Sequence, residues 1–539
     1  MKLICPIFNA TDFYKVDHRR QYPDNTTLIY SNLTARGSRV TGIDKIVNFG
    51  AQFFIKRFLI EAFNESFFSQ PKEKVVAEYK RRMDTSLGAD TVPMDHVIAL
   101  HDLGYLPLEI KTLPEGDLVP LQVPFLTVVN THPDFFWLTN FIETLLSCTI
   151  WGMVTSATVA FEYRKNFEHW AKVTGAPKGM IPWLGHSFAF RGMFGLEAAA
   201  MSDAGHLLSF QGTDTIPGID LLESYYNANS NWQMVGGSVP ATEHSVGSSV
   251  ATSYADSDSI EEEFNEVTGQ WEFVQFAKDV RPSKNRNRQV TQSEKLFFGE
   301  LLAYKRLITK VYPKGIVSIV SDTFDFWAVV TKIIPSLKKE ILSRDGKVVI
   351  RPDSGDPVKI IVGDPEELDG TPANKGLIQC LWDTFGGTTT PEGYKMLDSH
   401  IGAIYGDSIT IARQKAILEG LAAKGFASSN VVLGIGSYTY QYTTRDTFGM
   451  AIKSTYAEIN GNPTPIFKQP KTDSGKNSHK GLMCVTGTSG KYKVEQDVSW
   501  EREKSPDNQL KTVFLDGKMV SEVSLKQLRE RIEHNLLLI

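Results

Sequence analysis

The clearest hydrophobic pattern lies in the second half of the chain. Four short β-branched runs, VSIVSD (317–322), VVIRPDSG (348–355), GAIYGDS (402–408) and NVVLGIGS (430–437), each end in small or acidic residues. Helical patterns lie between them. FDFWAVVTKIIPSLKKEIL follows the first run, GLIQCLWDTF separates the second from the third, and IARQKAILEGLAAK follows the third. Ser408 is placed to cap that last helix and Gly425 to close it. Continuous apolar strands alternating with helices predict a parallel sheet covered by helices. Toward both chain ends the pattern changes. VPLQVPFLTVVN (119–130) and STYAEINGNPTPIFKQP (454–470) carry β-branched residues broken by Pro and Gly, which predicts antiparallel strands in a second layer drawn from both ends. The expected division is a β-rich and helical part over 1–150, an α/β catalytic part over 151–450, and strands with a helix returning over 451–539.

The longest uncharged stretch, Thr144 to Phe161, has the length of a short membrane span. It also contains six Ser or Thr residues and is flanked by Glu143 and Glu162. Leu138, Ile142, Leu145 and Thr149 keep helical spacing, so buried helices are the expectation rather than a span. The opening MKLICPIFNATDFYK has too short an apolar run and too early an aspartate for a signal peptide. Cys5, Cys148, Cys380 and Cys484 form no CxxC pair, which disfavours a zinc site or disulfide framework and suits a reducing cytoplasm.

The 539 residues are 42% hydrophobic and 22% charged, ordinary for a globular chain longer than one simple domain. Net charge of −5 gives no global basic field for nucleic acid, so any phosphate ligand must be held by local groups. One segment stands apart. Residues 255–295 begin acidic (DSDSIEEE) and turn basic (RPSKNRNR), the pattern of a solvated polar insertion.

Candidate chemistry gathers where the four runs end, because loops at the carboxyl ends of parallel strands converge on one face. GIGS (434–437) offers backbone N–H groups with little obstruction, as a monophosphate needs. RPDSG (351–355) pairs a fixed cation with a carboxylate, and GDS (406–408) adds another carboxylate able to take ribose hydroxyls or hold Mg²⁺ through water. Other chemistries fall away. GTSGK (487–491) lacks the first glycine of a Walker loop, and no HExxH, GxSxG or strand-to-helix GxGxxG is present.

Eight segments occur in an order that resembles the nicotinamide phosphoribosyltransferases: ATDFYKVDHRRQYP (10–23), HSFAFRG (186–192), QGTDT (211–215), SVPATEHS (238–245), IVSDTFD (319–325), VIRPDSG (349–355), YGD (405–407) and TTRD (443–446). The resemblance spans roughly residues 8 to 485. It implies the type II phosphoribosyltransferase fold, an irregular α/β barrel packed on a β-rich domain, in a homodimer with shared active sites. It implies condensation of nicotinamide with phosphoribosyl pyrophosphate, with Mg²⁺ and with ATP as activating co-substrate. No nucleic acid or membrane partner is implied.

Carried onto this chain, the resemblance stacks nicotinamide between Phe188 and Tyr14, the latter from the other subunit. Stacking suits a flat ring that becomes cationic. Asp214 would accept from the carboxamide and repel a carboxylate ligand. Arg191 and Arg351 would bracket the ring and sugar, with Asp353 on the ribose hydroxyls and Asp322 supporting them. Gly406, Asp407, Gly436 and Ser437 would form the 5′-phosphate end. Arg36, Arg445, Lys453, Lys468 and Lys476 would hold phosphate and pyrophosphate. His244, beside Glu243, matches the histidine that ATP phosphorylates, and a neighbouring carboxylate would orient its imidazole.

The chain departs from the family pattern in three places. The 255–295 segment is extra, Ser437 and Tyr438 stand where glycines are usual, and Ala189 and Phe190 alter HSFAFRG without changing the spacing of Phe188 and Arg191. Two other readings remain open at this point: a nicotinate phosphoribosyltransferase of the same fold, and a noncatalytic nucleotide-binding or signalling protein on the same scaffold.

Overall fold

The computed structural model describes residues 3–255, 292–406, 408–468 and 478–538. All four strands expected in the second half are present, as Val317–Val320, Val348–Arg351, Ile401–Tyr405 and Val431–Ile435. They pair in parallel within a six-stranded sheet whose order is Gly212–Thr213, Gly185–Ser187, Val431–Ile435, Ile401–Tyr405, Val348–Arg351, Val317–Val320. The sheet does not stay open. Gly237 N donates to Gln211 O (2.8 Å) at one edge, and Thr242 N donates to Ser318 O (3.0 Å) at the other. The irregular segment 237–242 thereby bridges both edges and closes the ring. That segment is too short in regular pairing to read as a strand, which is why the barrel is irregular.

Helices cover the sheet as the pattern requires, with two local differences. The helix Ile411–Ala423 is capped by Thr410, whose Oγ1 accepts from Arg413 N (3.2 Å), and not by Ser408. Ser408 is held at a φ of 47°, and Gly425 at a φ of 76° does close the helix. The stretch after Val320 forms short successive pieces from Phe326 to Leu342, because Pro335 supplies no N–H to a continuous helix.

The second layer is a seven-stranded antiparallel sheet in the order Asn462–Pro465, Met450–Ile459, Thr26–Ala35, Pro124–Asn130, Leu108–Thr112, Lys511–Leu515, Lys518–Met519. It is built from both chain ends, as expected. Asn460 and Gly461, both at positive φ, turn the first pair. GTSGK lies in the turn between Leu482–Thr486 and Lys493–Val498, a hairpin and not a phosphate loop.

One 32-residue helix, Glu143–Thr174, joins the layers. Leu146, Ile150, Met153 and Val154 enter the core beside the antiparallel sheet, while Tyr163, Phe167 and Ala171 enter the core beside the barrel. It is long and apolar enough to cross a membrane, yet 67% of its most apolar window is buried inside this fold. A core helix serves both layers.

Candidate active site

The end of the strand Gly185–Ser187 and the residues after Gly212–Thr213 form the first wall. His186 Nε2–H donates to Asp214 Oδ1 (2.9 Å), and Ser238 Oγ donates to the same oxygen (2.5 Å). Burial opposes the charge on Asp214. The hydrogen bonds from His186 and Ser238, and the field of Arg351, outweigh it and hold the carboxyl below its ordinary value. The Phe188 ring lies against His186 at 4.6 Å between centroids. Phe188 is half-buried, and Gly434 makes room for it: a Cβ there would stand 2.6 Å from Phe188 Cδ2. An aromatic face and an ionised acceptor thus share one wall.

The second wall comes from the next strand ends. Asp322 Oδ2 accepts from Asp353 N (3.1 Å) and Ser354 Oγ (2.5 Å), tying the turn after Val317–Val320 to the turn after Val348–Arg351. Arg351 Nη2 donates to Thr242 O (2.6 Å), and its Nε stands 3.7 Å from Asp353 Oδ1. Gly406 brings backbone against this carboxylate, since a Cβ there would lie 2.6 Å from Asp353 Oδ1. His244, half exposed at the start of the helix His244–Ala255, shares a hydrogen bond between Nδ1 and Thr323 Oγ1 (3.1 Å). Its Nε2 faces Asp322 Oδ1 at 3.7 Å, and that buried oxygen has no hydrogen-bond partner among the described residues. The expected orienting carboxylate, Glu243, instead accepts from Ser245 Oγ. Asp322 takes the place assigned to Glu243, because the chain turns into a helix between Glu243 and His244.

Gly436 and Ser437 follow the strand Val431–Ile435. The space a Gly436 Cβ would occupy is open, while Ser437 packs its hydroxyl against Gly192, beside exposed Arg191. Asp407 and Lys476, and residues 256–291 of the polar insertion, lie outside the described residues.

Arg36, Lys453 and Lys468 form a second group with Lys15. Lys453 is held below its usual range by desolvation and by the positive charges of Arg36, Lys15 and Lys468, against the pull of Glu143. Lys15 is buried and bonded to Glu143 at 2.9 Å, and its ammonium stands 4.9 Å from the Tyr14 ring centroid. Arg36 Nε donates to Gly449 O (3.0 Å), and Arg445 stands 3.8 Å from Asp446. Tyr14 is exposed, and among the described residues no ring contact joins it to Phe188. One chain therefore carries an aromatic and carboxylate wall on the barrel, and a basic group with Tyr14 beside the antiparallel sheet.

His186, Ser238, Thr242 and Lys15 were not among the expected site residues, although each lies inside a segment that carried the family resemblance. Asp203 was also missed. It is fully buried, accepts from Thr213 Oγ1 at 2.9 and 3.0 Å, and is pushed up to about 7 by burial. No motif flags it; only the packing of the helix Leu196–Ser209 behind Thr213 does.

The comparisons with known proteins fit this arrangement. The nicotinate phosphoribosyltransferase family matches residues 184–518, and the nicotinamide phosphoribosyltransferase N-terminal domain matches residues 6–110. A nicotinamide phosphoribosyltransferase of Acinetobacter baylyi is 48% identical over 98% of this chain and 97% of its own length. Among solved structures, nicotinate-nucleotide pyrophosphorylase from Pyrococcus furiosus superposes with a TM-score of 0.53 at 13% identity, covering 99% of this chain and 97% of that one. Human nicotinic acid phosphoribosyltransferase gives 0.52 at 15% identity, covering 97% and 93%. Both share the fold. With this barrel, both family regions and such identity over its length, the chain belongs to the nicotinate phosphoribosyltransferase family, among its nicotinamide phosphoribosyltransferases.

Proposed function

We infer that the chain condenses nicotinamide with 5-phosphoribosyl 1-pyrophosphate to give nicotinamide mononucleotide and pyrophosphate. The observation that carries the amide reading is Asp214: ionised, pinned through one oxygen, and set on the same wall as Phe188. Nicotinate would bring a second negative charge to this carboxylate, whereas a carboxamide brings an N–H donor.

The ring nitrogen forms its bond to the anomeric carbon as the carbon–oxygen bond to pyrophosphate breaks. Positive charge builds on the ribose and then on the pyridinium. Asp353 takes the ribose hydroxyls, Arg351 holds that carboxylate in place, and the open backbone at Gly436 with the Ser437 hydroxyl receives the 5′-phosphate. Catalysis is by positioning and charge stabilisation, with no covalent attack by protein. Asp322 and Asp353 suit Mg²⁺ held through water and the substrate's own phosphates, since this ion keeps much of its hydration. Bound there, it would neutralise charge on the departing pyrophosphate.

We assign Arg36, Lys453 and Lys468 with Tyr14 to the site of a second copy, in a homodimer whose active sites draw on both subunits. The support is that Tyr14 is exposed and, among the described residues, makes no ring contact with Phe188 of its own chain. Asp407, Lys476 and Arg445 are assigned to the phosphate ends on the resemblance. His244 is the proposed phosphoryl acceptor from ATP: it is exposed enough to be reached, and Asp322 faces its Nε2. All four cysteines are free, which suits a cytoplasmic protein.

The test is product formation from phosphoribosyl pyrophosphate and Mg²⁺, with nicotinamide and nicotinate run side by side, each with and without ATP. Preference for nicotinamide supports the reading, and ATP stimulation supports the role of His244. Preference for nicotinate would overturn the role of Asp214, and turnover of neither would favour a noncatalytic protein.

A further inference from the structure

His186 occupies the middle position of the short strand Gly185–Ser187 and is buried. Its surroundings leave the imidazole little freedom. Gly212 closes one side, where a Cβ would stand 2.8 Å from Nδ1, and the Phe188 ring lies against it at 4.6 Å and 37°. Its Nε2–H points at Asp214 Oδ1, because a carboxylate only accepts. Ser238 Oγ donates to that same oxygen. Among the described residues, no hydrogen bond reaches Asp214 Oδ2, and the side chain is 43% exposed. Two protein donors therefore converge on one oxygen of a partly exposed carboxylate, and among the described residues the other oxygen has no donor.

We propose that His186 is a positioning residue that sets the amide specificity of the site, by pinning Asp214 through Oδ1 so that Oδ2 alone meets the ligand. The proposal rests on the assignment of Asp214 to the carboxamide. Two consequences follow from the geometry. Charge on Asp214 is stabilised by donors that remain in place when the ligand binds, so a proton that would let it accept a carboxylate ligand is disfavoured. The same imidazole also backs the Phe188 ring, so one side chain ties the acceptor to the stacking platform. A rotating, unpinned carboxylate would have to lose that freedom on each binding event.

The substitutions separate these roles. His186→Phe keeps a flat ring against Phe188 and removes the donor, whereas His186→Gln supplies an N–H near the Nε2 position. Loss of one charge-assisted hydrogen bond raises the nicotinamide KM by about tenfold in His186→Phe. The ratio of kcat/KM for nicotinamide over nicotinate falls with it, while the KM for phosphoribosyl pyrophosphate stays near the wild-type value. His186→Gln recovers much of the ratio. Ser238→Ala, at an exposed position, moves the ratio in the same direction and provides the measurement if His186→Phe does not fold. Asp214→Ala is the reference. If it abolishes the amide preference while His186→Phe and Ser238→Ala leave it intact, the proposal is overturned and the role of Asp214 stands. If Asp214→Ala keeps the preference, the Asp214 assignment falls and the proposal falls with it.

Discussion

Asp353 stands where three demands meet: Arg351 Nε at 3.7 Å, the bare backbone of Gly406, and a main-chain N–H given to Asp322. Its replacement by Ala removes the proposed ribose acceptor and leaves Arg351 without that carboxylate. We expect turnover to drop by about 100-fold or more, with folding retained, as read by steady-state rates beside a thermal melt. His244→Ala is expected to keep the ATP-independent rate and lose any stimulation by ATP; a rate equally stimulated in the variant would remove His244 from that role. Asp203 offers a test in pH. Burial raises its folded-state pKa to about 7, so the folded protein holds this proton more tightly than the unfolded chain does. The cost of ionising it is absent below the unfolded carboxyl's range and grows as pH rises toward 7. Asp203→Asn should therefore gain stability relative to wild type between pH 5 and pH 8, on the order of 2 kcal/mol by denaturant titration. An unchanged difference at the two pH values would mean that the carboxyl is ionised throughout. At this scale Arg351 and Asp353 were legible because they close an apolar run in the sequence, and Phe188 only through the family resemblance of its segment. His186 and Asp203 were not, because their meaning lies in what packs against them.

Elements decide how well these residues are held. The strand Val431–Ile435 places Gly434 beneath Phe188 and within reach of Gly406, where a Cβ would sit 2.9 Å from Gly406 Cα. Gly434→Ala should push the Phe188 ring out of position and raise the nicotinamide KM several-fold, because overpacking forces side chains off their preferred positions. An unaltered KM would show that Phe188 is not the platform. Far from the site, the helix Leu525–Leu537 begins with a reciprocal cap between Ser524 and Gln527, and Arg529 ties it to the barrel through Leu207 O (3.0 Å) and Met234 O (2.7 Å). Ser524→Ala should cost about 1 kcal/mol of stability and leave the kinetics alone. The four parallel strands of the second half were readable because each depends on a few contiguous residues. The true cap of Ile411–Ala423 was not. Ser408 and Thr410 are both capping types, and only the backbone path shows which one faces the helix.

Across the whole molecule, the helix Glu143–Thr174 binds two cores, and the segment 237–242 closes a barrel from two sheet edges. The candidate carboxylates lie at the barrel strand ends, and Lys453 with its basic neighbours lies by the antiparallel sheet. If the active site is shared between subunits, Tyr14→Ala and Asp353→Ala chains should each be nearly inactive alone. Mixed after dissociation and reassembly, they should recover roughly a quarter of wild-type sites, because half the dimers are hybrid and each hybrid holds one intact site. No recovery, with hybrids demonstrated by mass, would place both residues in the same chain's site.

The sequence by itself determined four of the six parallel barrel strands, the antiparallel layer from both ends and the positions of the strand-end carboxylates. Each of these is set by local periodicity and by which residue follows a strand. Only the tertiary structure decided that Asp322, and not Glu243, faces His244, that Asp214 is pinned by His186 and Ser238, and that Lys15 with Glu143 lies among the basic group. Those pairings join residues far apart in the chain or turned away by one helical step. Hydrogen-bond direction and burial depend on the folded path between them, which no spacing in the sequence encodes.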